Sequence, residues 1–191
     1  TATDYNEETL VESIFQLKPG HYIEIDLSKS SIETVKQIKW YYGCDFEIPN
    51  YKSYSDFVAQ FEDILTDSIR LRLISDVPLA MTLSGGLDST VIYTLIKERL
   101  KKDITCFTVA HSNSQTNELP LVQKLLKPYS DKLYVLEDYS EYTFKALNES
   151  LYYLEEPIWN NSCITYDNTY KEIKSKKYTV IIEGHGSDEQ L

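Results

Sequence analysis

The spacing of apolar residues changes character several times along this 191-residue chain. His21-Tyr22-Ile23-Glu24-Ile25-Asp26 alternates apolar and polar positions after a Pro19-Gly20 turn, the pattern of a half-buried strand. A polar stretch from Gly43 to Ser53, with Pro49 and Asn50, reads as a linker. Beyond it Phe57, Phe61, Ile64, Leu65 and Ile69 recur at helical spacing, with Ser53 or Ser55 as N-cap. Val77-Pro78-Leu79-Ala80-Met81-Thr82-Leu83 is a short, nearly continuous apolar run, as expected of a strand buried on both faces. Val91, Ile92, Leu95, Ile96 and Leu100 share one side of a helix predicted over 89–102. Lys97, Arg99, Lys101 and Lys102 lie near its C-terminal end, where positive charge complements the helix dipole. Further strands are predicted at 104–109, 133–137 and 179–183, and further helices near 118–127, 140–153 and 166–176.

Strand and helix thus alternate. That order predicts an α/β fold, a doubly wound parallel sheet with helices on both faces. In such sheets ligands bind at the carboxyl ends of the strands, where the strand order reverses. Residues 1–50 read differently and are expected to form a separate, β-rich part, with 51–191 carrying the α/β pattern.

Composition narrows the partners. Hydrophobic residues at 42% and charged residues at 26% suit a domain with a buried core. Thirty acids against nineteen Lys and Arg give a net charge of −11, which argues against nucleic acid or an anionic membrane. No apolar run approaches the ~18 residues of a membrane span, and the acidic stretch from Thr1 to Leu10 does not look like a signal peptide. Cys44, Cys106 and Cys163 are far apart with no C-x-x-C spacing, so reduced thiols and a cytoplasmic location are expected. His21 and His111 have no partner at metal-ligand spacing. The one methionine is Met81, so Thr1 is not expected to be a translational start, and the chain reads as part of a longer one.

Four of the six glycines fall in two loops, each directly after a predicted strand. The first is Ser84-Gly85-Gly86-Leu87-Asp88-Ser89-Thr90. Glycines there permit φ > 0 and close approach of backbone N–H groups, and the helix that follows adds its unpaired amides and dipole. Such a helix start favours an anion by ~0.3–1 kcal/mol at an exposed site. Ser84, Ser89 and Thr90 supply hydroxyls, giving the loop the chemistry of a phosphate cradle. It lacks the Lys of a Walker loop and carries Asp88 instead. A carboxylate beside phosphates implies an intervening Mg²⁺; the alternative is that Asp88 simply caps the helix. The second loop, Gly184-His185-Gly186-Ser187-Asp188-Glu189, follows the strand at 179–183. If both strands belong to one parallel sheet, both loops open on the same edge and Asp188 becomes a second carboxylate for the metal.

Ser84-Gly85-Gly86-Leu87-Asp88-Ser89 resembles the pyrophosphate loop of the N-type ATP pyrophosphatases. With Arg70-Leu71-Arg72-Leu73-Ile74-Ser75-Asp76-Val77-Pro78, Glu155-Glu156-Pro157 and Gly184 to Glu189, the chain resembles the synthetase domain of glutamine-hydrolysing asparagine synthetases. Leu17-Lys18-Pro19-Gly20-His21-Tyr22 is similar to the closing hairpin of that family's glutaminase domain. The resemblance implies an adenine nucleotide alpha hydrolase-like sheet preceded by the end of a β-rich glutaminase domain. It also implies ATP and Mg²⁺ as cofactors, with aspartate or a similar acid and ammonia from glutamine as substrates. The carboxylate is adenylated with release of pyrophosphate, and ammonia then displaces AMP. Carried over residue by residue, Ser84, Gly85, Gly86, Leu87, Asp88 and Ser89 hold pyrophosphate, Asp88 and Asp188 hold Mg²⁺, and Leu83, Val109, Glu183 and Gly184 border adenosine or the α-phosphate. A homo-oligomer of the full-length protein is compatible with the family.

The departures bear on substrate. The family's second loop usually has an acid between its glycines, where this chain has His185. A neutral imidazole there accepts a proton from an incoming amine, an imidazolium steadies a phosphate, and a third reading gives His185 no chemical role. Relatives that close a β-lactam ring also lack the acid, so another acid or amine, as in a tailoring amide synthetase, is a second hypothesis. A non-catalytic nucleotide-binding module is a third. The resemblance puts the glutaminase nucleophile, a leading Cys, before Thr1. Glu155-Glu156 reads as solvated and Asn117-Glu118 as a helix cap, while the sixteen tyrosines read as packing because no basic stripe accompanies them.

Overall fold

The structure, a computed structural model, describes residues 7–28, 37–41, 51–110, 117–137, 144–155 and 162–186. They fall in two compact units, Thr1–Asn50 and Tyr51–Leu191.

In the first unit β1 (His21–Ile23) pairs antiparallel with β2 (Gln37–Lys39), with Tyr22 opposite Ile38. Only the first half of the alternating run at 21–26 is paired. Gly20 takes φ +67, and a Cβ there would lie 2.9 Å from the Tyr41 carbonyl oxygen, so the turn before β1 requires glycine. The Gly20 carbonyl in turn accepts from the Trp40 and Tyr41 amides.

The second unit begins with α1 (Tyr54–Arg72), whose N-cap is Ser53: its hydroxyl accepts from the Asp56 amide at 3.2 Å. Then follow β3 (Leu79–Thr82), α2 (Leu87–Glu98), β4 (Thr105–Ala110), α3 (Leu119–Leu126), β5 (Leu133–Glu137), α4 (Phe144–Leu154), α5 (Ser162–Ser175) and β6 (Val180–Ile182). The strands form one parallel sheet in the order β5-β4-β3-β6, with Ala80 opposite both Thr105 and Ile181. From β3 the chain winds outward through β4 and β5, then returns to add β6 on the other side. The strand order therefore reverses between β3 and β6. This is the doubly wound fold, and it puts the switch point where the two glycine loops emerge.

Period-two alternation sends the strand residues to two cores. Met81, Leu83 and Cys106 pack with Ile69 of α1, Tyr93 and Ile96 of α2 and Val122 of α3. On the opposite face Ala80, Phe107 and Leu136 pack with Ile173 of α5. Fully burying each such large apolar side chain contributes ~1.5–3 kcal/mol. The continuous apolar run before the first glycine loop is thus a strand covered on both faces.

On α2 the structure also differs from the sequence expectation, and the helix ends at Glu98. On α2 the most deeply buried side chains are Tyr93 and Ile96, while Val91 and Ile92 are half-buried, because α2 is covered by both the sheet and its neighbouring helices. Lys97 does not project into solvent at the helix end. Its side chain is 6% exposed and its ammonium lies 2.9 Å from Asp131, a carboxylate that is wholly enclosed. Asp131 also accepts from the Tyr93 hydroxyl (2.7 Å) and the Ile104 amide (3.0 Å). This buried cluster lies at the amino end of β4, away from the glycine loops. Among the described residues no helix is long and apolar enough to cross a membrane.

Candidate functional site

The first glycine loop leaves β3 through Leu83 and Ser84 and enters α2 at Gly86, its N-cap (φ −67, ψ 167), without a side-chain cap. Asp88 lies inside the first turn, so it is not the cap of this helix. With no side chain on the N-cap, the first-turn amides of α2 keep their capacity for a ligand, reinforced by the dipole. Gly85 takes φ +85, a conformation L side chains rarely adopt, and turns its back on Glu118 and Leu121 of α3. The serine hydroxyls shape the loop. Ser89 Oγ accepts from the Ser84 amide (3.3 Å), lies 3.1 Å from Ser84 Oγ and donates to the Gly86 carbonyl (3.3 Å).

The second loop leaves β6 through Glu183 and Gly184. A Cβ on Gly184 would stand 2.8 Å from the Ser89 backbone nitrogen and 3.0 Å from Asp88 Cβ. Glycine alone lets the second loop rest directly on the first turn of α2. The two loops, far apart in sequence, therefore touch. Gly186 takes φ +95 in open space.

Above this junction opens a cavity of about 460 Å³, within the usual range for a small-molecule site. Its floor is made by strand ends (Thr82, Leu83, Phe107, Thr108, Val109), and one wall by Ser84, Gly86, Leu87, Asp88 and Ser89. Glu118 and the second loop (Glu183, Gly184, His185) close two further sides, and Thr165, Tyr166 and Thr169 of α5 the last. Glu183 is held by two hydroxyls: Thr82 donates to Oε1 at 3.1 Å and Tyr170 to Oε2 at 2.9 Å. Burial, together with the bond to Glu183, pushes the Tyr170 phenol up to about 12, so it remains a donor. His185 is exposed at the mouth, its ring tilted edgewise against Tyr166 with centroids 5.5 Å apart.

Among the described residues the lining carries three carboxylates, Asp88, Glu118 and Glu183, and no Lys or Arg. A polyphosphate can approach such a wall only through main-chain amides and with a cation between the charges. Mg²⁺ fits that donor set: hard carboxylate oxygens at the edge of an amide cradle. Asp188 lies outside the described residues, and among those described no group of three or more His, Cys, Asp or Glu is gathered for a metal.

Of the candidate residues read from the sequence, Leu83, Ser84, Gly86, Leu87, Asp88, Ser89, Val109, Glu183, Gly184 and His185 line this cavity, and Gly85 shapes the loop beneath it. Asn117 caps its own turn, its Oδ1 accepting from the Leu119 amide at 3.1 Å. Glu118, by contrast, makes no capping bond and lines the cavity. Sequence reasoning missed the α5 wall. Its signal was Thr165, Tyr166, Thr169 and Tyr170, polar-tipped residues at helical spacing just before the strand of the second loop.

A doubly wound sheet with a cavity between two glycine loops at its switch point defines an α/β domain. Residues 60–191 match the asparagine synthase family, and the chain belongs to that family. A Methanocaldococcus jannaschii relative of asparagine synthetase type is 28% identical over 189 residues, covering 95% of this chain and 34% of its own length. The glutamine-hydrolyzing asparagine synthetase 2 of Bacillus subtilis is 27% identical over 199 residues, covering 98% of this chain and 26% of its own length. The chain thus spans about a third of these relatives or less. Among solved structures, the U34-tRNA thiolase NcsA of Methanococcus maripaludis superposes with a TM-score of 0.51 at 20% identity, covering 71% of this chain and 48% of that one. That likeness shows the fold alone, a parallel sheet flanked by helices.

Proposed function

We propose that the intact protein is an ATP-dependent, amide-forming ligase that adenylates the side-chain carboxylate of aspartate, releasing pyrophosphate, before ammonia displaces AMP. The observation that carries this reading is the contact of Gly184 with the first turn of α2, which joins both glycine loops into one cradle under the cavity. In the proposed reaction a carboxylate oxygen of aspartate attacks the α-phosphorus of ATP and the bond to the β-phosphate bridging oxygen breaks. Ammonia then attacks the acyl carbon, and AMP leaves with that carboxylate oxygen. The first-turn amides of α2, with Ser84 and Ser89, hold the departing pyrophosphate and take up its charge. Leu83, Val109, Glu183 and Gly184 border the nucleoside and α-phosphate. Asp88 and Asp188 would hold Mg²⁺, which would supply positive charge against the phosphates. His185, at the cavity mouth, accepts the proton that ammonia sheds as the C–N bond forms.

On this reading residues 51–191 are the front of the synthetase domain and residues 1–50 the end of a glutaminase-type domain. Ammonia would reach the site from glutamine hydrolysed there, in a cytoplasmic enzyme. Oxygen tracing tests the chemistry. Turnover of aspartate labelled with ¹⁸O in its side-chain carboxylate by the intact protein, with Mg-ATP and ammonium, is expected to leave one label in AMP. Unlabelled AMP would overturn the proposal.

A further inference from the structure

Helix α5 touches two protonatable side chains at the start of the second glycine loop, Glu183 and His185. Tyr166 and Tyr170, one turn apart, stack on each other with centroids 6.3 Å apart. The Tyr170 hydroxyl binds one oxygen of Glu183 while Thr82 binds the other. The Tyr166 ring meets the imidazole of His185. Anchoring the helix does not require these tyrosines. Ile164 and Ile173 already do that, at 2% and 1% exposure, whereas Tyr166 and Tyr170 remain 42% and 39% exposed beside the cavity.

We infer that Tyr166 and Tyr170 are positioning residues, which hold His185 and Glu183 in fixed orientations over the cavity. The inference rests on the reading of that cavity as the nucleotide site of an adenylating ligase. Both charges need restraint. A glutamate free to rotate in an acidic cavity would swing its carboxylate toward incoming phosphates. With both oxygens occupied by hydroxyl donors, the charge is partly satisfied and stays at the strand end. An exposed histidine samples several rotamers, and a ring packed against it restricts them before substrate arrives. The Tyr170 phenol, kept protonated by burial and by Glu183, donates throughout the neutral range.

The intact protein is compared with Tyr170→Phe, Tyr166→Leu and Tyr166→Phe by Mg-ATP titration calorimetry and by NMR of ¹⁵N-labelled histidine, with His185→Gln assigning the signal. Loss of one hydrogen bond in Tyr170→Phe is expected to weaken Mg-ATP binding about 2- to 10-fold. Tyr166→Leu is expected to shift the His185 ring resonances, and Tyr166→Phe, which keeps the ring, to restore them. Unchanged melting of both Phe variants separates positioning from folding. Wild-type affinity in Tyr170→Phe, or His185 resonances indifferent to Tyr166→Leu, would overturn the inference. If the unaltered protein binds no Mg-ATP, the nucleotide reading fails by itself, and the clamp stands or falls on the His185 resonances.

Discussion

Replacing Gly184 with alanine measures how closely the two loops must meet. The added methyl would lie 2.8 Å from the Ser89 nitrogen, 3.0 Å from Asp88 Cβ and 3.1 Å from the Asp88 carbonyl carbon. The shortest contact is about 0.6 Å inside the 3.4 Å edge of ordinary van der Waals contact. All three atoms belong to the helix itself, so no side-chain rotation relieves the clash. The end of β6 and the start of α2 must separate instead. Overpacking of this kind costs about 1–3 kcal/mol. Moving the loop off the amides that would face the phosphates is expected to weaken Mg-ATP binding about tenfold, the effect of losing about one hydrogen bond. Gly186→Ala is the control: its φ of +95 makes alanine strained, but nothing lies within 4 Å of the new methyl. It should cost about 1–2 kcal/mol of local backbone energy while leaving the junction closed. Titration calorimetry and thermal melting of both variants are expected to show similar losses of stability, with the loss of affinity confined to Gly184→Ala. Wild-type affinity in Gly184→Ala would refute the close junction.

Asp131→Asn removes the enclosed one of the two carboxylates that partner buried Lys97, the other being the exposed Asp103 at 2.8 Å, and a loss of about 1–3 kcal/mol in urea unfolding is expected; wild-type stability would contradict the buried pair. Burial alone would raise the Asp131 carboxyl, but bonds from Tyr93, Lys97 and the Ile104 amide outweigh it and hold the group below its ordinary value. Its stabilisation is therefore full above the unfolded value near ~3.9 and is lost as pH falls through the lower folded value, so below about pH 4 the wild type should lose stability more steeply than Asp131→Asn. Parallel acid limbs would contradict that sign. At the site, Asp88→Asn is expected to abolish the dependence of ATP binding on Mg²⁺, and metal-independent binding by the unaltered protein would count against the cation.

Much of the sheet was legible because its strands are short and covered on both faces, so 77–83 reads as unbroken apolar sequence and ends at a glycine. The loops were legible for a backbone reason: Gly85 and Gly186 take positive φ and Gly184 has no room for a Cβ. What sequence periodicity does not carry is distance. The meeting of β3 and β6 is set by winding order, and the enclosed partner of Lys97, Asp131, is an aspartate on the approach to another strand. Lys97 therefore looked like a helix-end charge. On α5, Tyr166 reads as packing, because a ring that lines a cavity wall leaves the same mark in a sequence as one that packs in a core. β2 escaped notice because a three-residue strand has too few positions to show alternation.

Phosphorus NMR of Mg-ATP turnover by the intact protein, with aspartate and ammonium, tests the cradle most directly, because it shows which phosphoanhydride bond breaks. Cleavage between the α- and β-phosphates, giving AMP and pyrophosphate in equal amounts, is the result that joined glycine loops predict. ADP with inorganic phosphate would contradict it.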